Sequence, residues 1–140
     1  MDHDLAARAR LLEVTTRFAT SADRGEAMKA LHMLTDTFRI GAEGELKPIG
    51  ALANALMARQ VSEYQTRHHV AQPTMTETTA ERIAGVVPIT SYKLEEGKMT
   101  ISVADFHVTI VPVEGVWKID RLRMIPFASS AQGLLTGAEA

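Results

Sequence analysis

The chain lacks cysteine, and this absence excludes several kinds of chemistry. Without cysteine its 140 residues can form no disulfide, no thiolate metal cluster and no cysteine nucleophile. Histidine is therefore the only basis for a transition-metal site. The sequence also has no glycine-rich phosphate loop, no serine nucleophile elbow and no HExxH motif. Nucleotide hydrolysis, acyl-serine chemistry and zinc-dependent proteolysis thus lack support.

An excess of basic charge is absent as well. The formal net charge is -2, so nothing favours a phosphate backbone, and nucleic acid is not expected as a partner. The start of the chain carries Asp2 and Asp4, and no apolar run is long enough for a signal peptide or a membrane span. These features predict a cytoplasmic protein without membrane association. A hydrophobic content of 46% in 140 residues predicts one domain with its own core.

The first half of the chain is predicted to be mainly helical. Apolar residues recur at three- and four-residue steps from Leu5 to Ala22, which predicts a helix with one buried stripe. The run Asp23-Arg24-Gly25-Glu26 has the form of a capping box and predicts a short second helix that ends near Thr35. A short two-stranded excursion over 37–46 follows. Pro48 suits the first turn of a third helix that continues toward Tyr64.

The second half, from Arg67 to Phe127, is predicted to form four strands. Its β-rich runs are divided by polar turns at 76–80, 95–98 and 113–115. Strands after helices predict one α+β domain, and Pro88 predicts a bend or bulge that curls the sheet. Both faces of the long strands carry apolar residues. Because helices can cover only one face, a homodimer through the other face is expected.

Several ionisable residues in the strands are candidates for a site. Asp105 and His107 are two positions apart and share a face with Ile101 and other apolar residues, where they either enter a pocket or meet solvent or a dimer partner. His68 and His69 are adjacent, so they point to opposite sides of a strand. A metal site that combines one of them with His107 has no third ligand at a recognisable spacing.

The order of these elements, together with three local patterns, resembles a known family. The patterns are Phe18 to Glu26 at the end of the first helix, Thr66 to Val70 at the start of the sheet, and Val116 to Ile119 after the last turn. They resemble the SnoaL-like branch of the nuclear transport factor 2-like superfamily. The resemblance implies a cone-shaped, curved antiparallel sheet with three N-terminal helices packed on its concave face. It covers 1–127, and 128–140 is expected to be a flexible tail.

The resemblance also implies a site. Dehydratase-like and cyclase-like relatives direct an Asp, a His and sometimes a Tyr into a conical apolar pocket, and the matching positions here are Asp23 and His68. Phe18 replaces the tyrosine of some dehydratases. The carboxylate of ketosteroid isomerase-like members falls on Gly41, which disfavours that chemistry. Asp23 has an alternative role as a helix cap, because an Asp followed three residues later by Glu suits a helix start.

Two functions are expected from this combination. The first is a SnoaL-like protein that binds a small hydrophobic molecule and acts as a cofactor-free and metal-free lyase or isomerase of the dehydratase or cyclase type. The alternative is a non-catalytic dimeric module that binds a ligand or stabilises a larger enzyme. For the first function, the expected catalytic residues are Asp23, His68, Asp105 and His107, and the expected substrate-binding residues are Phe18, Met57, Tyr64, Tyr92 and Trp117.

Overall fold

The computed structural model describes residues 2–130. Two α-helices and two short 3₁₀ helices pack on a seven-stranded sheet. The helical elements are α1 (Asp2–Thr20), η1 (Ala22–Arg24), η2 (Ala27–Met33) and α2 (Gly50–Gln60). The strands are β1 (Leu34–Gly41), β2 (Lys47–Pro48), β3 (Gln65–Val70), β4 (Thr74–Thr78), β5 (Ile83–Glu95), β6 (Lys98–Val113) and β7 (Val116–Ser129).

The sheet is mixed, and its strand order does not follow the chain. The order is β2-β1-β7-β6-β5-β3, and β4 pairs with the part of β5 that β3 leaves free. From β3 to β7 all pairs are antiparallel, as predicted, but β1 joins β7 in parallel. The predicted α+β class is confirmed, with seven strands instead of a simple meander.

Some predicted boundaries differ from the structure for local reasons. The second half forms five strands, because Pro73 and its neighbours interrupt the first predicted strand and separate β3 from β4. Pro48 belongs to the short edge strand β2 and not to a helix. The third helix therefore begins at Gly50. β7 extends to Ser129, and residues 131–140 of the predicted tail lie outside the described residues.

Pro88 does not produce the predicted bulge. β5 pairs with β6 in unbroken register from Ile83 to Glu95, and Pro88 lies opposite Asp105. On the other edge of β5, Pro88 lies between the segment that pairs with β3 and the segment that pairs with β4. There its carbonyl accepts a hydrogen bond from the Ala71 amide at 2.9 Å. Because proline has no amide to donate, this gap between two edge strands accommodates it. The register shifts occur in other places.

The core forms between α1 and the inner face of the sheet. The fully buried positions of α1 are four residues apart, which gives the helix one narrow apolar stripe. Val14 and Phe18, which the periodicity placed on that stripe, are half-buried and pack against the core. The buried positions of α1 are Ala7, Leu11, Thr15 and Ala19.

The two faces of the sheet differ in what covers them. Alternation along β5 and β6 sends Val87 and Val108 to the inner face, where both are fully buried beneath α1. The intervening residues point to the outer face, which no helix of the described chain covers. This outer face holds half-buried apolar side chains, namely Val86, Pro88, Ile101, Val103 and Ile125. Among the described residues, no helix has both the length and the apolar character needed to cross a membrane.

Candidate active site

The last turn of α2 holds the loop that carries Asp23. Arg59 donates through Nη2 to the Ala22 carbonyl at 3.0 Å, and Gln60 donates its amide to the Gly25 carbonyl at 2.8 Å. Gly25 closes η1 in the left-handed conformation (φ 73°), which a residue with a side chain rarely adopts. These contacts fix η1 against α2 and direct Asp23 toward β3.

Asp23 and His68 form a hydrogen-bonded pair. Nδ1 of His68 lies 2.8 Å from Oδ1 of Asp23, and the backbone amide of His68 donates to Oδ2 at 2.8 Å. The carboxylate therefore holds both the ring and the main chain of the same residue. The side chains are 9% exposed for Asp23 and 21% exposed for His68, so the pair lies at the edge of the interior with its histidine accessible.

Two further residues extend the pair. The hydroxyl of Thr66 donates to Oδ1 of Asp23 at 2.7 Å, and Arg59 donates through Nη2 to that hydroxyl at 3.1 Å. Arg59 also lies over the ring of Tyr64, 4.6 Å from its centroid. A chain of contacts thus runs from Arg59 through Thr66 and Asp23 to His68. Each member orients the next.

The surroundings keep Asp23 ionised. Burial raises the pKa of its carboxyl, but hydrogen bonds from Thr66 and His68 and the positive charge of a protonated His68 lower it, and the net pKa lies below the ordinary value. An ionised carboxylate only accepts hydrogen bonds, so Nδ1 of His68 carries the proton toward Asp23. Nε2 then keeps its lone pair when the ring is neutral.

Nε2 of His68 is therefore the ring nitrogen that is not engaged by Asp23. Within residues 2–130 it has no hydrogen-bond partner, whereas Nδ1 is engaged by Asp23. A histidine held this way can take a proton from a bound molecule, and the carboxylate stabilises the imidazolium that forms. The arrangement is that of a general base with an orienting carboxylate.

The capping alternative for Asp23 is wrong. Glu26, not Asp23, is the residue that precedes η2, and no side chain caps that helix. Asp23 lies inside η1, and both of its oxygens are directed across to β3. The Asp-x-x-Glu spacing therefore arises from a turn that presents a carboxylate and not from a helix start.

The structure does not bring Asp105 and His107 to this pair. They share one face of β6, as the alternation predicted, but it is the outer face, since the inward-facing Phe106 and Val108 alternate with them. His68 lies opposite Ser91 of β5 and so points to the inner face. The expected group of four residues is thus reduced to Asp23 and His68. Strand alternation predicts that Asp105 and His107 share a face. It does not predict which face that is, because the local sequence does not specify the register of β6.

His69 lies on the outer face, where its ring meets Tyr92 edge-on with centroids 5.2 Å apart. Tyr92 is therefore remote from the inner face. The five residues expected to bind substrate are also dispersed. Phe18 packs on the core, Met57 is 56% exposed on α2, and Tyr64 lies beneath Arg59 and Lys93, while Trp117 lies against Arg10 at the start of β7.

Five cavities at the surface of the described residues are lined by neither Asp23 nor His68. The pair meets solvent through the exposed part of the imidazole. Across the described residues, no group of three or more His, Asp or Glu side chains is placed to hold a metal ion.

Sequence reasoning missed Thr66 and Arg59. Thr66 precedes His68 by two positions, so strand alternation could have placed it on the same face. No comparable signal marks Arg59, because its role depends on how the end of α2 meets η1 and β3. Helical periodicity shows only that Arg59 lies near the end of a helix.

The mixed sheet with helices on one face has the architecture of a nuclear transport factor 2-like α+β protein. A family model described as the SnoaL-like domain matches residues 3–123. The chain belongs to this SnoaL-like family, as the resemblance predicted. Among curated proteins, no sequence matches the chain significantly.

Solved structures support the fold. A candidate scytalone dehydratase from Novosphingobium aromaticivorans has 14% identity and a TM-score of 0.79, and the match covers 91% of this chain and 89% of that one. A hexachlorocyclohexane dehydrochlorinase (LinA, type 2) has 18% identity and a TM-score of 0.72, over 91% of this chain and 89% of that one. The β subunit of a candidate aromatic-ring-hydroxylating dioxygenase, also from N. aromaticivorans, has 11% identity and a TM-score of 0.72, over 89% and 92%.

Proposed function

We propose that the protein is a cofactor-free lyase that acts on a small, largely apolar molecule by abstracting a proton from carbon. The observation that carries this proposal is the Asp23–His68 pair, in which one ring nitrogen is fixed by a carboxylate and the other is unoccupied within the described residues. A buried carboxylate beside an accessible imidazole is the arrangement expected for general-base chemistry near neutral pH.

The reaction would be an elimination. Nε2 of His68 removes a proton from a carbon atom, the electrons of that C–H bond form a double bond, and a group on the adjacent carbon departs. Asp23 stabilises the imidazolium formed in this step. When the departing group is hydroxide, the imidazolium returns its proton and water leaves. The chain of contacts through Thr66 keeps the carboxylate in place during proton transfer.

The structural relatives support this chemistry without defining the substrate. The names of two of them, a dehydratase and a dehydrochlorinase, both describe loss of a small molecule from adjacent carbons. A positioned base is the element that such reactions share. In this chain the Asp23–His68 pair supplies that element.

The proposal can be tested with a carbon acid whose deprotonation gives a coloured product. The probe is 5-nitrobenzisoxazole, an apolar molecule whose deprotonation opens the ring to a coloured cyanonitrophenolate. We expect wild-type protein to accelerate this reaction above free imidazole at equal concentration. The variant His68→Gln should lose about 100-fold or more of the added rate, which is the usual contribution of a positioned base.

The adjacent histidine provides the matched control. His69→Gln changes the same residue type on the outer face, where the ring contacts Tyr92, and should keep the wild-type rate. Asp23→Asn should also lower the rate. The midpoint of its unfolding, measured by circular dichroism, shows whether the variant is still folded. Equal rates for wild type and His68→Gln, with both folded, would refute the proposal.

A specific observation also supports the alternative role of a dimeric module. The outer face of the sheet presents half-buried apolar side chains that no helix of the described chain covers, interspersed with Asp105 and His107, and uncovered apolar side chains on one face are a feature of protein interfaces. We infer a homodimer through this face. The dimer is compatible with catalysis, because His68 lies on the opposite, inner face.

A further inference from the structure

The helices cover the inner face of the sheet unevenly. Along β5 the inward-facing residues from Ile83 to Ile89 are all buried, whereas the next one, Ser91, is half-buried. On β6, Val108 is buried, whereas Ser102 on the same face is half-buried. One end of the inner face is therefore partly open, and it is the end at which β3 carries His68.

Ser91 lies directly opposite His68 at this open end. The backbone amide of His68 donates to Asp23 at the outer edge of β3, and not to β5. His68 and Ser91 are therefore a non-hydrogen-bonded pair of the antiparallel ladder, the type in which the side chains lie closer together. Their Cβ atoms are expected to be about 4.5–5.5 Å apart. The hydroxyl of Ser91 is thus next to the imidazole, on the same face.

The ring of His68 directs Nε2 away from Asp23. Nδ1 is held by the carboxylate at the outer edge of β3. Because the two nitrogens of an imidazole point in different directions, Nε2 faces away from that edge, toward the side on which Ser91 lies. The Ser91 hydroxyl forms no hydrogen bond with any residue in the described range 2–130. A proton acceptor and a hydroxyl donor therefore face the same open space.

The neighbouring polar side chains on this face are already engaged. Nζ of Lys93, the next inward-facing residue of β5, lies 4.2 Å from the centroid of the Tyr64 ring. Oγ of Ser102 lies 3.3 Å from Oγ of Ser129. Among the described neighbours of the imidazole, Ser91 is thus the donor that can meet a bound molecule.

We propose that Ser91 is a catalytic residue that binds the departing oxygen atom, and that the substrate is an alcohol. Its hydroxyl group would be on the carbon next to the C–H bond that His68 attacks, so this inference rests on the proposed elimination. Nε2 takes the proton, the electrons of the C–H bond form the double bond, and the C–O bond breaks. The imidazolium then gives its proton to the departing oxygen and water leaves. Ser91 donates a hydrogen bond throughout and keeps its own proton.

A hydroxyl donor at this position favours oxygen over chloride as the departing atom. A hydrogen bond to oxygen becomes stronger as negative charge develops on that atom in the transition state. Chloride is a weaker acceptor and needs no proton in order to leave. The combination of His68 and Ser91 therefore suits loss of water better than loss of hydrogen chloride.

The dependence of the rate on the leaving group tests the role of Ser91. The probes are 5-nitrobenzisoxazole and unsubstituted benzisoxazole, which both lose a proton from carbon and release a phenolate oxygen. The nitro group stabilises the phenolate, so less charge remains on the departing oxygen. We expect Ser91→Ala to lower the rate about tenfold with benzisoxazole and about twofold or less with the nitro compound, since a hydrogen bond contributes more when its acceptor carries more charge.

Two further variants serve as controls. Ser91→Thr keeps a hydroxyl at the same position and should retain most of the wild-type rate with both probes. Ser102→Ala removes a hydroxyl from the same face, one strand farther from His68, and should leave both rates unchanged. Circular dichroism of each variant shows that the fold is retained.

The outcomes distinguish this inference from the proposed function. Equal rates for wild type and His68→Gln would refute the elimination itself. If His68→Gln loses the rate but Ser91→Ala changes both probes by the same factor, or changes neither, Ser91 does not bind the departing oxygen. A loss with benzisoxazole in Ser102→Ala as large as that in Ser91→Ala would also overturn the assignment, because it would place the departing oxygen away from Ser91.

Discussion

Asp23 and Asp120 are partly buried carboxylates that accept hydrogen bonds from threonine hydroxyls. Asp23 accepts from Thr66, and Asp120 accepts from Thr35 at 2.6 Å and from Thr37 at 2.7 Å. Burial raises the pKa of Asp120, but these hydrogen bonds and nearby arginine charge lower it, so that its net pKa lies below the ordinary value. At both positions the folded state stabilises the ionised form. Folding is therefore linked to pH at these two residues.

The stability of the protein should fall in acid. A carboxyl whose pKa is lower in the folded state contributes stability above its unfolded pKa, and that contribution is lost as the pH falls through the folded pKa. We expect the decline in stability to begin at about pH 4, the ordinary pKa of an Asp side chain. At pH 7, Asp120→Asn should be less stable by about 1–3 kcal/mol, because the charge-assisted hydrogen bonds are weakened.

Urea unfolding at pH 7 and pH 3, followed by the fluorescence of Trp117, measures this difference. The deficit of Asp120→Asn should shrink at pH 3, because this pH lies below the ordinary pKa of Asp and the carboxyl of the unfolded wild-type chain is then largely protonated. Asp36→Asn, an exposed carboxyl of the same region, is the control and should have little effect at either pH. A deficit that is equal at both pH values would show that ionisation of Asp120 does not contribute.

The sequence predicted single residues with uneven success. The family resemblance led to Asp23 and His68, which the structure places in contact. It could not predict that Asp105 faces away from them, because strand alternation places residues relative to each other but not relative to the helices. The sequence did not predict a role for Asp120, which lies between Ile119 and Arg121 in an apolar strand. Its hydrogen-bond donors come from β1, more than 80 residues earlier in the chain.

At the scale of elements, the contact of α1 with the sheet depends on Gly85. A Cβ atom at this position would lie 2.7 Å from the Thr74 carbonyl oxygen and 2.9 Å from the Leu11 side chain. The carbonyl belongs to the backbone of β4 and cannot move without disturbing the β4–β5 pair. Gly85→Ala should therefore destabilise the protein by about 1–3 kcal/mol, the usual cost of overpacking.

Thermal or urea unfolding of Gly85→Ala measures this cost. Gly50→Ala is the matched control, because a Cβ at the start of α2 meets no atom within 4 Å and alanine favours helix. Its stability should be unchanged or slightly raised. If both variants were equally stable, the close approach of α1 to β4 and β5 would not be a constraint.

Element types were more predictable than their ends. The periodicity of α1 is strong and continuous, so its existence and its buried side followed from the sequence. The β5–β6 and β6–β7 turns were also predictable, because Gly97 and Gly115 fall in polar segments and adopt positive φ. The division between β3 and β4 was not, because each strand is short and pairs only with part of β5.

At the scale of the whole molecule, the outer face of the sheet predicts a dimer. We expect the protein to elute at twice the chain mass in size-exclusion chromatography with light scattering. Val103→Glu places a charge among the apolar residues of this face and should convert the dimer to a monomer. The added carboxylate would lie on the same face as Asp105, so desolvation and like-charge repulsion would together oppose association.

An exposed apolar residue away from the outer face provides the control. Val61, at the end of α2, is 78% exposed, and Val61→Glu should remain dimeric. A monomeric wild type, or a Val103→Glu variant that is still dimeric, would contradict the proposed interface. Far-UV circular dichroism separates dissociation from unfolding.

The topology was the least predictable feature. A meander was expected from the consecutive turns, and β5, β6 and β7 do form one. The parallel pairing of β1 with β7 joins Leu34 to Ile119, and no local pattern encodes a partner at that separation. The family resemblance supplied the global arrangement, whereas periodicity supplied the elements.

The position of β7 inside the sheet affects how the protein can be made. Among the described residues β7 is the last strand in sequence, yet it lies between β1 and β6. During synthesis, β1 therefore leaves the ribosome long before its neighbour exists, and its unpaired edge is open to association with other chains. The domain can close only after β7 has emerged, so nascent chains truncated before β7 should depend on chaperones.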